Sequence, residues 1–90
     1  MKTITLVTPE TVKILNVDNI SEIYLYENHR CVYFIMCNND EQMFNILSWD
    51  GLDAEALRIK RKEYMKTLKR MMRQFGDVEL TPDGLMHGTP

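Results

Sequence analysis

The residues of this 90-residue chain that could do chemistry are two cysteines, two histidines and thirteen carboxylates. Cys31 and Cys37 lie six apart in an uncharged run, Cys31–Cys37, that reads as a strand. At roughly 3.3 Å per residue they would stand about 20 Å apart. A disulfide needs Cα atoms within about 7 Å, so the sequence predicts two free thiols. Their apolar surroundings disfavour the thiolate that nucleophilic chemistry needs. Two cysteines without clustered histidines do not make a zinc site. His29 falls in a predicted turn and His87 in a predicted tail, both as surface histidines. The four glycines, at 51, 76, 84 and 88, are isolated, whereas a phosphate-cradling loop clusters them before a helix. Asp18, Glu22 and Glu27 read as solubilising acids in turns and at strand ends. A carboxylate pair assembled by the fold stays open at this level. With no convergent set of groups, the expectation is a non-enzymatic protein with no catalytic residue, no metal and no cofactor.

Charge is more informative than chemistry. The chain carries a net −2, but unevenly. From Ala54 to Gly76 there are eight Lys and Arg against two acids, a net +6. The remainder has three basic residues and eleven acids, a net −8. The positive charge is segregated onto one element, and three readings compete for it: a solvated surface, a nucleic-acid face, or a docking face for a partner protein or a second copy.

That element is a helix, predicted over about 54–75. Asp53 can accept backbone N–H bonds as its N-cap. Leu52 and Leu57 sit where a hydrophobic staple needs them. Asp50-Gly51 reads as the preceding turn, and Gly76 suits a left-handed C-terminal cap. At about 100° per residue, Leu57, Tyr64, Met65, Leu68, Met71, Met72 and Phe75 share one face. Arg58, Lys62, Lys66, Lys69, Arg70 and Arg73 share another. Arg61 interrupts the apolar face, where it can snorkel or meet an acid, and Ile59 interrupts the basic one.

Before the helix, alternating apolar and polar residues predict five strands, at about 2–7, 11–15, 21–26, 31–37 and 42–49. Thr8-Pro9-Glu10, Asn16 to Asn19, Glu27 to Arg30 and Asn38-Asn39-Asp40 separate them as turns. Short connections favour antiparallel neighbours. The expected architecture is therefore α+β: a five-stranded antiparallel meander, as a twisted sheet or partly open small barrel, packed by one long C-terminal helix. It forms a single domain over 1–80. Val78 and Leu80 suggest a short extended piece, and residues 81–90, with Pro82, Gly84 and Gly88, read as a flexible tail.

The run Ile14-Leu15-Asn16-Val17-Asp18-Asn19-Ile20-Ser21-Glu22-Ile23, followed by two strands around a polar turn and then a helix, resembles the small FlbD-type proteins. It also resembles the first half of LytTR DNA-binding domains. The resemblance covers roughly residues 12–60 and implies a related fold; no functional residue is carried over from it.

A helix of about 33 Å laid on a five-strand sheet roughly 20–24 Å wide would overhang it. Met71, Met72 and Phe75 are then the candidate contacts for a second subunit. The expected function is a small interaction module that self-associates through helix and sheet, as a homodimer or with a protein partner, the tyrosines 24, 26 and 33 lying on strand faces. Nucleic-acid binding by the basic face is the alternative. No apolar run approaches the roughly 20 residues of a membrane span, and Met1-Lys2 leads straight into a strand rather than a secretory signal, which points to the cytoplasm.

Overall fold

The computed structural model describes residues 2–90; Met1 lies outside it. The five expected strands all form: β1 (Thr3–Val7), β2 (Val12–Asn16), β3 (Ile20–Tyr24), β4 (Cys31–Met36) and β5 (Glu41–Asn45). The helix α1 spans Ala54–Gln74. Two further strands follow it, β6 (Asp77–Leu80) and β7 (Met86–Thr89). The architecture is α+β, and it differs from a single meander. The strands divide into a four-stranded sheet, ordered β2-β1-β6-β7, and a three-stranded antiparallel sheet, ordered β3-β4-β5.

The division happens at Asn16. Its side chain accepts from the Asp18 amide at 3.0 Å, and Val17–Asn19 coil into one 3-10 turn. That turn redirects the chain instead of folding it back, so β2 and β3 belong to different sheets. The free side of β1 is filled from the other end of the chain. β6 pairs with it in parallel, in the register Thr3↔Asp77 through Leu6↔Leu80. The Thr3 and Thr5 hydroxyls both donate to Asp77 Oδ1, at 2.7 and 2.9 Å. The short extended piece expected at Val78 and Leu80 is thus a strand of the larger sheet, and the expected tail holds a second, β7 pairing antiparallel with β6. Their turn is Thr81-Pro82-Asp83-Gly84, closed by the Gly84 amide on the Thr81 carbonyl at 3.0 Å.

The expected fifth strand ends early. Leu47–Trp49 form a 3-10 turn, because strand alternation would set Trp49 on the face opposite Phe44 and Ile46. The turn swings Trp49 into the core, 4% exposed, against Tyr64 in an edge-to-face contact with centroids 5.3 Å apart. Leu47 is left outside. The turn is stitched to the β6–β7 connection by Ser48, whose hydroxyl donates to the Asp83 carbonyl at 2.8 Å.

α1 starts as its sequence predicts, with Asp53 Oδ1 accepting from the Ala56 amide at 2.8 Å. Its end differs. Phe75 leaves the helix extended, at φ −123° and ψ 154°, and Gly76 takes no left-handed conformation. The chain there is already in the sheet: the Gly76 amide donates to Thr89, and its carbonyl accepts from Thr3. Lys2 supplies the cap instead, its Nζ donating to the carbonyls of Met72 and Arg73 at 2.5 and 3.2 Å.

One core joins both sheets and the helix. Ile4, Leu6, Val78 and Leu80 come from the larger sheet, Val32, Phe34 and Phe44 from the smaller, and Leu57, Tyr64 and Leu68 from α1. Burying one such aliphatic or aromatic side chain stabilises the fold by about 1.5–3 kcal/mol. The Tyr64 hydroxyl is buried without a hydrogen-bond partner, and burial raises its pKa.

Candidate functional site

The sequence-predicted contacts Met71, Met72 and Phe75 do not overhang the sheet. All three are half-buried and pack against the core. The larger sheet reaches under the end of α1 because β6 and β7 extend it, and the ring of Phe75 rests on the backbone of Gly88 in β7. The apolar stripe of α1 is therefore satisfied within its own chain.

Arg61, in the apolar arc, donates from its guanidinium to the Tyr26 carbonyl at 2.9 Å and ties α1 to the β3–β4 loop. Arg30 does similar work from that loop, donating from Nε to Trp49 and from Nη2 to Leu52, at 3.0 and 2.6 Å. It thereby fixes the approach to the helix.

The basic face is as the helical spacing predicts. Arg58, Lys62, Lys66, Lys69, Arg70 and Arg73 are all exposed. Among the described residues the one ion pair is Arg58–Glu55, at 2.7 Å and three residues apart on the helix. It holds the Glu55 carboxyl below, and the Arg58 guanidinium above, their ordinary pKa values. Among the described residues no acid of the sheets pairs with this face.

Cross-strand register builds a second surface, on the outer side of the three-stranded sheet. Tyr24 lies opposite Tyr33, and Tyr33 opposite Met43. In the next row Glu22 lies opposite Ile35, and Ile35 opposite Glu41. Tyr26 stacks on Tyr24, with centroids 5.4 Å apart and planes 14° apart, and meets Tyr33 edge-on at 4.9 Å. His29 closes the cluster, its Nδ1 2.9 Å from the Tyr33 hydroxyl. Tyr24 and Tyr26 remain 42% exposed and Met43 56%. Such pairs stabilise a sheet, yet here the packed rings present an open aromatic surface as well.

Its electrostatics are acidic. Hydrogen bonding to Glu22, and then the charge of that carboxylate, raise the Tyr24 phenol above its ordinary pKa. The Tyr33 phenol is pushed up to about 12, first by hydrogen bonding to Cys31, then by desolvation, with the charges of Cys31 and Glu41 adding. The arrangement can stack on flat or cationic groups and offers carboxylates at one edge.

Compared with family models, with curated proteins and with solved structures, the chain matches none.

The three tyrosines are visible in the sequence as strand residues. What escapes it is their union with Glu22, Glu41, His29 and Met43, because the rows depend on register. A register irregularity between Ile20 and Glu22 shifts β3 relative to β4. Cys31 is buried and Cys37 exposed, and both are free thiols. Among the described residues no group of three or more His, Cys, Asp or Glu stands close enough to hold a metal ion. Among the described residues no helix is long and apolar enough to cross a membrane.

Proposed function

We propose that the chain is a small non-enzymatic interaction module that self-associates through the outer face of its three-stranded sheet. The observation that carries this reading is the packed but uncovered surface of Tyr24, Tyr26, Tyr33 and Met43. Large exposed apolar patches rimmed by polar residues mark contact surfaces, and Tyr and Met are enriched in interfaces. Met71, Met72 and Phe75 are not part of this contact, since they pack against the core of their own chain. The reading places the chain in the cytoplasm, in keeping with the free thiols of Cys31 and Cys37.

The test is molar mass by light scattering on the wild type and on a Tyr24→Ser, Tyr26→Ser double variant. Both side chains are exposed, so the variant should fold. Self-association predicts a wild-type mass above the 10.6 kDa monomer and a smaller, soluble variant. Equal masses count against this surface.

A second reading rests on the unpaired cations of α1. Such a face can track a nucleic-acid backbone through counterion release. Fluorescence anisotropy with labelled DNA and RNA at two salt concentrations tests it. Salt-sensitive binding lost in Lys66→Glu with Arg73→Glu would support it, and absence of binding at low salt would remove it.

A further inference from the structure

We propose that the contact between copies is head-to-tail, the basic face of α1 in one copy docking on the acidic, aromatic sheet face of the next. The inference rests on the self-association reading and names the two surfaces that meet. Charge complementarity argues for it. Ala54 to Gly76 carries +6 and the rest of the chain −8, yet within one copy only Arg58 finds an acid among the described residues, and that acid is on the helix itself. The charges left unmatched within a copy can be matched between copies.

The spacing fits as well. Glu22 and Glu41 lie on the two outer strands of a three-stranded row, two inter-strand steps or about 9.6 Å apart. Lys66 and Arg73 are seven residues apart on α1, about 10.5 Å at 1.5 Å per residue, and project within about 20° of each other. A helix laid across the strands can therefore set one cation on each glutamate. Arg70 lies between them on the same arc and comes down over the tyrosine row, where a guanidinium finds the negative faces of the rings. Arg61 of the receiving copy is held at the Tyr26 carbonyl, toward the loop, so the attracting edge is the one built from Glu22 and Glu41.

A contact between unlike surfaces leaves one of each free on the terminal copies. It therefore propagates as a ring or a chain, in contrast to the closed dimer of a like-with-like contact. That difference supplies the test. Two neutralised double variants are made: Lys66→Gln with Arg73→Gln, and Glu22→Gln with Glu41→Gln. All four positions are exposed, and circular dichroism verifies that each variant folds. Molar mass is measured by light scattering at low salt for the wild type, each variant and their equal mixture. The expected wild-type mass exceeds that of two copies and falls as salt is raised. Each variant alone associates about tenfold or more weaker than wild type. The mixture, with one intact face on each partner, gives a complex of twice the 10.6 kDa monomer. If the wild type associates and both variants match it, or if the mixture stays monomeric, the head-to-tail contact is wrong while self-association stands. A wild type that is monomeric throughout overturns both.

Discussion

The ring of Phe75 lies directly against the backbone of Gly88, so that no side chain fits between the end of α1 and β7. A Cβ at position 88 would stand only 2.3–2.6 Å from three ring atoms, well inside van der Waals contact distance. This contact converts the apolar end of the helix from an exposed surface into core. Gly88→Ala should destabilise the protein by about 1–3 kcal/mol, the usual cost of overpacking. The cost should shrink in a Phe75→Ala background, since the two residues share one contact. A double-mutant cycle by urea denaturation measures both effects, and additive costs would mean that the ring and the glycine are not coupled.

Tyr64 buries its hydroxyl with no partner. Removing that hydroxyl removes an unsatisfied group, so Tyr64→Phe should be neutral or should stabilise by about 1 kcal/mol at pH 7. Burial also raises the phenol pKa in the folded state. The unfolded chain then ionises first, near the ordinary value of about 10. The contribution is fully present below that pH and is lost as pH rises toward the folded pKa. Urea midpoints between pH 8 and 12 should fall less steeply for Tyr64→Phe than for wild type. Parallel curves would show that Tyr64 ionises freely in the fold.

Asp77 joins the two ends of the chain, because hydroxyls from Thr3 and Thr5 converge on its Oδ1. Asp77→Ala should cost about 1–2 kcal/mol, with amide exchange in β1 and β6 rising before that in β4. Asp77→Asn keeps an acceptor and should recover much of the loss. Uniform exchange changes across the protein would show that the clip has no local role.

The start of α1 is set by a single cap. Asp53→Ala removes the acceptor of the Ala56 amide and should cost about 0.5–2 kcal/mol. Circular dichroism at 222 nm across a thermal melt reads the loss, and Asp53→Ser should restore most of it. An unchanged melting temperature for the alanine variant would leave the cap without energetic weight.

The parts legible in the sequence are those that local physics fixes. Asp53, the Leu52 and Leu57 pair and the two helix faces specify α1 almost to the residue, because capping and periodicity act over one or two turns. The five leading strands follow from alternation for the same reason. At Val78 and Leu80 only an extended piece is legible, and β7 is not legible at all, because Asp77–Leu80 and Met86–Thr89 are short, flanked by proline or glycine, and anchored through β1 at the other end of the chain. Without β6 and β7 the end of α1 has no sheet beneath it, which is why helical spacing alone points Met71, Met72 and Phe75 outward, whereas the larger sheet receives them. Trp49 escaped strand alternation because burying a large aromatic outweighs keeping one more residue in a ladder. In the candidate site, each tyrosine was readable as a strand residue. The meeting of Glu22 with Ile35 and Glu41 needed a register that no short stretch encodes.

Self-association is best tested by light scattering on the wild-type protein across a dilution series at low salt. A molar mass that stands above 10.6 kDa at high concentration and falls toward it on dilution is the expected result. A mass fixed at 10.6 kDa over the whole series would contradict the proposed function, and would leave the aromatic face of Tyr24, Tyr26 and Tyr33 to a different partner.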